Sequence, residues 1–381
     1  MCPSKTPRGL GDNRRVTTPN TSPSELNRRI HQAIAQAGGW IGFDRFMAMA
    51  LYESGLGYYT NALQKFGAMP SSGSDFVTAP GLSPLFGHTL AAQVRQALQA
   101  TGTDEVWEFG AGTGALALQL LDSLGDAVHR YTIIDLSGTL RARQAETLAA
   151  HARKVRWLDA WPEAIEGVVV GNEVLDAMPV QLLQRTGGVW HERGVVSAGD
   201  AFAWEDRPTD LRPPIVIEGE HDYLTEIHPQ GEAFIASLAE RLQAGRGGAA
   251  FFLDYGFPEA EYFHPQRHMG TVMCHQLHQA DADPLVAVGQ KDITAHVNFT
   301  GVALAAQNAG LDVLGYTSQA WFLLNLGLGE RMAQATLAER SQAQRLVNEH
   351  EMGELFKVIG LATSGDWPAQ GFERGDRSHR L

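Results

Sequence analysis

The sequence predicts an α/β fold built on a mostly parallel sheet, and two observations lead to that prediction. From position 106 onward, short apolar runs alternate with helical patterns of roughly ten to fifteen residues. Strands joined through such helices pair in parallel, with right-handed crossovers. The second observation is the stretch VWEFGAGTGAL at 106–116, where a strand, three alternating glycines and a helix start follow one another. An apolar fraction of 44% over 381 residues is ample for the core of such a fold.

The remaining pattern divides the chain into regions. The first stretch is rich in Pro, Thr, Asn and Arg, and its prolines and glycines oppose the amphipathic helix of a transit peptide. Irregular stretches of this length inside a compact domain are usually functional or disordered. The predicted regions are a disordered leader at 1–23, a helical and loop N-terminal region at 24–100 that contributes to the site, a cofactor-binding core at 101–362 with insertions near 180–225 and 257–297, and a loose tail at 363–381.

The composition restricts the partners and the compartment. A formal net charge of −13 opposes a general nucleic-acid binder, which needs a basic face. An acidic surface would instead attract a basic protein or peptide. Cys2 and Cys274 cannot form a disulfide framework, so we expect a reducing compartment such as the cytoplasm. No run of roughly eighteen or more apolar residues occurs, and no membrane span is expected.

The three alternating glycines fit two binding patterns. Gly110, Gly112 and Ala115 match the dinucleotide pattern G-x-G-x-x-G/A. With Glu108 in front, Gly110, Gly112 and Gly114 match E-x-G-x-G-x-G, the pattern of methyltransferases that use S-adenosyl-L-methionine (SAM). In both cases glycines without a Cβ let the ligand approach the backbone, and amides at the helix start offer hydrogen-bond donors. Both cofactors stay open on this pattern alone.

Two acidic residues bear on the choice of cofactor. Asp135 ends the next predicted strand, 25 positions beyond Gly110, where a carboxylate accepts hydrogen bonds from the ribose hydroxyls of either cofactor. The alternative is that Asp135 only caps the following helix. Glu108 discriminates better, because its charge repels a pyrophosphate and attracts the cationic amino and sulfonium groups of SAM. The sequence therefore favours SAM.

A polar turn, NEVLDAMP at 172–179, follows the fourth predicted parallel strand. It lies at the edge where α/β sheets bind ligands, although Asn172 and Asp176 could simply cap turns. If the methyl acceptor is an arginine, Glu173 and Asp176 can hold its guanidinium in a bidentate clamp. A carboxylate there can also take up the proton that the methylated nitrogen loses. Asn172, Glu173 and Asp176 are therefore the candidate catalytic residues.

Other kinds of catalytic site find little support. The spacing of His264, His268, Cys274, His275 and His278 is not a recognised zinc pattern, so no metal is expected. The sequence contains neither G-x-S-x-G nor G-x-x-x-x-G-K-[ST]. Neither a nucleophile-elbow hydrolase nor a P-loop enzyme is therefore indicated.

Six segments stand in an order that is specific as a set: GYYTNALQKFG, SDFVTAPGLSPLFG, WEFGAGTGAL, GNEVLDAMPV, FFLDYG and DITAHVNFT. Together they resemble the MidA-like SAM-dependent methyltransferases, a family that includes the mitochondrial complex I assembly factor that methylates an arginine. The resemblance covers roughly 24–362.

The resemblance implies a fold, a methyl donor and site residues. The fold is the class I, Rossmann-like methyltransferase fold, with a mostly parallel seven-stranded sheet whose last strand is antiparallel, plus β-hairpin and loop insertions. The donor is SAM, and the acceptor is an arginine of a protein substrate. The implied cofactor-binding residues are Glu108, Gly110, Gly112, Gly114, Asp135, Asp159, Ala160 and Thr78. The candidate substrate-binding residues, in or beside the two long loops, are Tyr58, Tyr59, Asp75, Tyr255 and His296.

Two departures from the family pattern concern the acceptor. The family's acid after T-A-P is Gly81 here, and the acid in its H-V-D-F segment is Asn298. A SAM-binding assembly factor with little activity stays an alternative, as does an NAD-dependent oxidoreductase, which lacks its usual Lys, Tyr or His motif here. The client would be a respiratory complex or another assembly client. The expected location is the bacterial cytoplasm, or the mitochondrial matrix in a eukaryote.

Overall fold

The computed structural model describes residues 24–61, 78–135 and 138–381. The predicted leader at 1–23 and the predicted substrate-binding Asp75 lie outside the described residues. The helices are α1 (Glu25–Gln36), α2 (Phe43–Tyr52), α3 (Ala79–Leu82), α4 (Leu85–Thr101), α5 (Ala115–Leu124), α6 (Gly138–Thr147), α7 (Pro229–Ala244), α8 (Glu259–Tyr262), α9 (Phe299–Asn308), α10 (Gln319–Asn325), α11 (Leu328–Gln334), α12 (Leu337–Val347) and α13 (Met352–Leu355).

The strands fall into three sheets over these ranges. They are β1 (Ile41–Gly42), β2 (Glu105–Phe109), β3 (Arg130–Ile134), β4 (Val155–Leu158), β5 (Gly167–Asn172), β6 (Gln181–Thr186), β7 (Val189–Ala198), β8 (Ala201–Pro208), β9 (Tyr223–Ile227), β10 (Gly248–Phe257), β11 (Met273–Gln276), β12 (Gln279–Asp281), β13 (Asp292–Thr294), β14 (Val297–Asn298), β15 (Asp312–Ser318) and β16 (Phe356–Ala362).

The main sheet has the strand order β15-β16-β10-β5-β2-β3-β4, and β14 pairs with the end of β10. Strands β10, β5, β2, β3 and β4 pair in parallel, while β16 is antiparallel to both of its neighbours. The predicted α/β class is confirmed. The detail of a mostly parallel seven-stranded sheet is not confirmed, because this sheet has eight strands and the other two sheets of the described residues are antiparallel.

The central strands are apolar on both faces because helices cover both sides of the sheet. Along β5, the side chains of Val168 and Val170 enter one core together with α4 and α5. The side chain of Val169 points the opposite way, into a second core with α7 and α9. Successive side chains of a strand alternate between faces, so a doubly covered strand is a continuous apolar run rather than an alternating one.

The two antiparallel sheets belong to the stretches predicted as insertions. The order β1-β7-β6-β9, with β8 beside β7, forms the second sheet, and β12-β11-β13 forms the third. Their apolar faces share one core with α1 and α2, in which Leu26, Phe46, Leu182 and Ile293 are buried. The N-terminal helices therefore pack against the insertions, and this places the insertions beside the main sheet's edge.

The predicted loose tail at 363–381 is instead packed against the main sheet. Phe372 is 6% exposed, and its ring occupies notches at Gly315 and Gly360, where an added Cβ would lie 2.2 and 2.7 Å from ring atoms. The Asp376 carboxylate accepts a hydrogen bond from the backbone N–H of Tyr316 at 3.0 Å. The sequence did not predict this packing, because the segment is largely polar and few of its residues, Phe372 among them, enter the core.

Candidate active site

The carboxyl ends of the parallel strands meet at one edge of the main sheet, over a cavity of about 750 Å³. Ligands of open α/β sheets bind at this edge. Most of the predicted site residues lie on the cavity wall, and they come from both the predicted cofactor side and the predicted acceptor side. These residues are Tyr59, Thr78, Glu108, Gly110, Gly112, Asp135, Asp159, Ala160, Asn172, Glu173, Asp176, Tyr255 and His296.

The glycine turn follows β2 and begins α5. Gly110 and Gly112 line the cavity with φ angles of 63° and 53°, which residues with a Cβ rarely adopt. Gly114, predicted to line the turn, lies off the cavity wall as the N-cap of α5, with φ 83°. A Cβ there would meet the Cα of Gln144 at 3.4 Å. The third glycine is therefore favoured by its left-handed backbone at the start of α5, and it faces helix α6 rather than the cavity.

Glu108 ends β2 on the cavity wall and is 3% exposed. The hydroxyl of Tyr131 on β3 donates a hydrogen bond to its Oε2 at 2.7 Å. Burial raises the pKa of Glu108 to about 8, although the hydrogen bond from Tyr131 acts in the opposite direction. The carboxyl group is therefore poised to ionise when a cationic group is placed beside it.

Asp135 follows β3 and is 9% exposed. The side-chain amide of Gln144 donates a hydrogen bond to its Oδ2 at 2.8 Å. Arg141 donates to the backbone oxygens of Asp135 at 2.6 Å and of Leu158 at 2.9 Å, which joins the ends of β3 and β4. Arg141 also pairs with Asp159, whose side chain is 85% exposed. One helix, α6, thus orders two of the three predicted cofactor-binding acids, Asp135 and Asp159.

Aromatic rings form the wall beyond these acids. Phe109 lies 4.8 Å from the ring of Trp161 and 5.1 Å from that of Phe234, centroid to centroid. All three residues line the cavity. They provide an apolar surface against which a planar heterocycle can pack.

The polar turn after β5 carries the predicted catalytic residues. Glu173 has a φ of 54°, a strained value for a residue with a side chain. Its backbone N–H donates to Leu253 O at 2.9 Å, and the next three N–H groups, from Val174 to Asp176, converge on Asp254 Oδ2 at 2.9–3.3 Å. Strand β10 therefore holds four consecutive backbone N–H groups of the strained turn, those of residues 173–176.

Three carboxyl groups crowd this turn: Asp176 and Asp254 are buried, and Glu173 is half-buried. Burial raises the pKa of Glu173 to about 8, and the nearby Asp176 raises it further. Burial likewise raises the pKa values of Asp176 and Asp254. Among the described residues, Oδ1 of Asp176 and Oδ1 of Asn172 have no hydrogen-bond partner, although both are buried and belong to cavity-lining side chains. Buried acceptors of this kind call for a ligand that donates hydrogen bonds.

The facing wall comes from α2, the loop after it, and the third sheet. The Tyr59 hydroxyl donates to Asp292 Oδ1 at 2.8 Å, and the rings of Tyr52 and Tyr59 stack with centroids 5.5 Å apart. The ring of His296 lies edge-on to Tyr255 at 5.3 Å, and burial lowers the pKa of His296 to about 4. This wall is therefore neutral or acidic at physiological pH.

Tyr58, a predicted substrate-binding residue, does not line the cavity. It is 1% exposed and packs in the core of α1, α2 and the insertions, with its ring edge-on to Tyr59. In the pair Tyr58-Tyr59, adjacent side chains point in different directions, and only the second reaches the cavity. Both tyrosines were predicted to bind substrate, because the segment has no periodic pattern that would distinguish their directions.

The two departures from the family pattern occupy different environments. Gly81 lines the cavity beside the predicted acceptor residues. Asn298 is buried off the wall, where its Oδ1 accepts the N–H of Gly301 at 3.3 Å and caps α9. Of these two positions, 81 lies on the cavity wall and 298 does not.

Several residues of the site were missed from the sequence, among them the aromatic wall of Phe109, Trp161 and Phe234. Asp254 carries a signal that could have found it, since it directly follows the apolar run 248–253 of β10. Tyr52, Gln144 and Asp292 carry no such signal. They reach the site only through packing of helices and insertions that the strand pattern does not describe.

The histidine-rich stretch does not form a metal site in the described part of the chain. No group of three or more His, Cys, Asp or Glu side chains there is arranged to hold a metal ion. His275 lines the cavity, whereas Cys274 is buried in the core of the insertions.

None of the described helices is both long enough and apolar enough to cross a membrane.

A strand–glycine–helix turn, an acid on the neighbouring strand and a carboxyl-bearing turn over one cavity define an α/β enzyme that binds an adenosine cofactor beside a second substrate. The chain belongs to the family of S-adenosyl-L-methionine-dependent methyltransferases, whose sequence model matches residues 89–317. The predicted family, enzyme class and cofactor are confirmed, and of the two adenosine cofactors left open by the glycines, SAM is the one used.

Relatives and solved structures agree with this membership. The chain is 50% identical to a Burkholderia thailandensis protein crystallised with S-adenosyl-homocysteine (SAH), with a TM-score of 0.89 over 93% of this chain and 96% of that one. It is 27% identical to the mitochondrial protein arginine methyltransferase NDUFAF7 of Danio rerio, over 91% of this chain and 89% of the relative. The human protein of that name is 26% identical, over 85% and 80%.

The residues around the cavity fit SAM. Gly110 and Gly112 leave room for close approach of a ligand to the backbone. Glu108 offers a buried carboxyl group to a cationic amino group, and Asp135 offers a carboxylate to a ribose. The aromatic wall suits the adenine. These carboxyl groups and aromatic rings suit a cationic nucleoside, whereas a carboxyl group at Glu108 would repel a pyrophosphate.

Proposed function

We propose that the enzyme methylates an arginine side chain of a protein substrate. The observation that carries the proposal is the set of buried, cavity-facing acceptors at the turn after β5, with Oδ1 of Asn172 and of Asp176 lacking donors among the described residues. A guanidinium supplies five N–H donors and a positive charge. The related NDUFAF7 proteins of Danio rerio and human are named protein arginine methyltransferases, which supports the same acceptor.

On the donor side, we infer that Glu108 binds the amino group and Asp135 the ribose hydroxyls of SAM. Gly110 and Gly112 admit the ligand to the backbone, and Thr78 closes the opposite side of the cavity. Asp159 and Ala160 border the adenine. When bound, SAM supplies a methyl group on a sulfonium, whose sulfur keeps the electron pair of the broken C–S bond.

On the acceptor side, Glu173 and Asp176 hold the guanidinium, and the Asn172 carbonyl oxygen accepts one of its N–H groups. This fixes a terminal nitrogen with its lone pair directed at the methyl carbon, so that orientation supplies much of the catalysis. The new N–C bond forms as one N–H proton leaves, and the Glu173 carboxylate takes that proton. The product retains its single positive charge, so charge balances.

Tyr59, Tyr255 and His296 form the remaining acceptor wall in this proposal. Their rings give a neutral, partly apolar channel along which the aliphatic part of an arginine side chain can lie. Asp75 stays a predicted contact to the substrate. The client is a protein with an accessible arginine, such as an assembly intermediate of a respiratory complex. We propose a reducing location, the bacterial cytoplasm or, in a eukaryote, the mitochondrial matrix; the relatives named above are mitochondrial by name.

The test labels lysate proteins with isotopic SAM and the purified enzyme, and identifies modified residues by mass spectrometry. We expect methylarginine in the wild-type sample and its loss with Asp135→Ala, which also weakens SAH binding in calorimetry. Label on another residue type overturns the arginine assignment. Tight SAH binding without any methylated product favours the alternative, an assembly factor with little activity.

A further inference from the structure

Gln144 is a buried amide that no part of the proposed chemistry uses. We propose that Gln144 is a positioning residue, which locks the glycine turn and Asp135 into one preassembled donor-binding unit. The proposal rests on the role proposed above for Asp135 at the ribose. It makes SAM affinity depend on a side chain that does not itself line the cavity.

The first support is a set of three hydrogen bonds. Gln144 lies on α6 and is 0% exposed. Its Nε2 donates to Gly112 O at 3.1 Å and to Asp135 Oδ2 at 2.8 Å. Its Oε1 accepts the indole N–H of Trp157 at 2.9 Å. The side chain therefore connects the turn after β2, the end of β3 and strand β4.

The partners fix the orientation of the amide. Two of them, Gly112 O and Asp135 Oδ2, only accept, and the third, Trp157 Nε1, only donates. The opposite orientation would place Oε1 against two oxygens and the NH₂ group against an N–H. One orientation alone satisfies all three partners, so glutamate, although similar in shape, cannot replace this glutamine.

The second support is the packing of α6 on the glycine turn. The Cα of Gln144 lies 3.4 Å from the place of a Cβ at Gly114, so the helix is in van der Waals contact with the turn. One turn along α6, the Thr147 hydroxyl donates to Thr113 O at 2.9 Å. Two side chains on one face of α6 thus bind two consecutive carbonyls of the turn, those of Gly112 and Thr113.

The consequence concerns the free enzyme. With Oδ2 held by Gln144, the Asp135 carboxylate cannot rotate freely, and the turn cannot drift away from it. Ordering of these groups then precedes ligand binding and does not reduce affinity. Losing Gln144 would leave both groups present but uncoordinated.

The experiment is a double-mutant cycle read by SAH calorimetry on the full-length protein. Gln144→Met keeps the length of the side chain and removes its hydrogen bonds. We expect a roughly tenfold weaker SAH Kd in the wild-type background and a change below about twofold in the Asp135→Ala background, since residues in one network couple. A purely structural role would give the same fold-change in both backgrounds and would overturn the proposal, as would an unchanged Kd in the single variant.

A matched control is Gln93→Met. Gln93 lies on α4, outside the cavity, and is also 0% exposed. Its amide donates a hydrogen bond to Gln96 and accepts one from the backbone N–H of Gly371. We expect a similar loss of Tm with SAH affinity unchanged. If Asp135→Ala binds SAH as the wild type does, the proposed role of Asp135 fails, which is distinct from a failure of coupling.

Gln144→Glu provides an independent readout should the methionine variant not fold. Its carboxylate would face that of Asp135, and two such groups cannot both ionise cheaply. We expect its SAH affinity, relative to that of the wild type at the same pH, to improve roughly tenfold as the pH falls from about 8 to about 5.5, because the protonated glutamic acid again donates to Asp135. A ratio to the wild-type affinity that does not change with pH contradicts the proposal.

Discussion

The donor and acceptor halves of the cavity are built in opposite ways. On the donor side, Glu108 and Asp135 each have a partner close in sequence, 23 and 9 positions away. On the acceptor side, Val174 meets Asp254 across 80 positions and Tyr59 meets Asp292 across 233. The donor half is complete without its ligand, whereas the acceptor half has buried oxygens without donors in the described residues.

The difference shows where stability is given up for function. A buried acceptor without a donor, or a carboxyl group crowded by others, lowers the stability of the fold. Such groups lie at the turn after β5 and the facing wall, where Glu173 and Asp176 line the cavity. Glu173→Gln and Gln144→Met should therefore differ in the sign of their effect on stability as well as in the ligand whose binding they alter.

The largest effect is expected from Glu173→Gln. Loss of the carboxylate that holds the guanidinium and takes its proton should lower methyl transfer roughly 10²-fold or more. SAH affinity should stay within twofold. Initial rates and SAH calorimetry check both. Glu232→Gln is the matched control, because Glu232 is a half-buried acid whose pKa is also raised by burial but which does not line the cavity.

The same variant should be more stable than the wild type, by on the order of 1 kcal/mol at pH 8. The pKa of Glu173 is about 8 in the folded protein, above its ordinary value. The unfolded chain therefore loses this proton first, and the carboxyl group's contribution to stability falls as the pH rises from about 5 to about 8. Denaturant midpoints at several pH values should show the gap widening upward; a gap that closes would contradict the assigned pKa direction.

Asp254→Asn is expected to be next in size. An amide that presents its NH₂ to the converging N–H groups releases the turn, and displacement of Glu173 should cost roughly tenfold to a hundredfold in kcat. Donor affinity should be retained, since β10 does not hold the glycine turn. Asp312→Asn serves as control, because that carboxylate also accepts one backbone N–H, from Gly365, but at the protein surface. Equal loss of kcat in both variants would remove the special role of the turn.

A moderate effect is expected from pH. Since Glu173 must be ionised to hold a cation, kcat/KM should rise through about pH 8, the pKa of the free enzyme. Ionisation of Glu173 should not change the affinity for SAH. The pH profile of kcat/KM for an arginine peptide is the measurement, and Glu173→Gln should flatten it at a low value.

The smallest effect is expected from Asn298→Asp. Aspartate caps a helix as well as asparagine does and suits the positive end of the helix. Because Asn298 lies off the wall, kcat and KM should change less than about twofold. Gly81→Asp is the contrasting variant, since it adds an acid to the cavity wall and should change the acceptor KM with SAH affinity kept. A large effect at position 298 would reverse this comparison.

How far the sequence predicts the site follows the same division. Glu108, Asp135 and the turn from Asn172 to Asp176 stand at strand ends, and a parallel sheet brings such ends together whatever else the chain does. Gln144 reaches the donor half only because α6 lies on Gly114. The partners in the acceptor half depend on how the insertions pack, which no local pattern fixes.

The fold divides in the same manner. The apolar runs and glycines identify the parallel strands of the main sheet, whereas its eighth strand, β14, is two residues long and has no pattern of its own. The role of Phe372 depends on notches at Gly315 and Gly360 on two adjacent strands. The polar composition of 363–381 predicted a loose tail. The notches could not be predicted, because they form only when the two strands lie side by side.

The clamp of β10 on the turn after β5 separates what can change from what cannot. Four consecutive N–H groups of that turn are held by Leu253 and Asp254, so the turn cannot shift unless the centre of the sheet shifts with it. The facing wall belongs to α2, the loop after it and the third sheet, which share a core separate from those of the main sheet. Substitutions in the facing wall can therefore change which substrate is accepted, while the turn that carries the chemistry keeps its geometry.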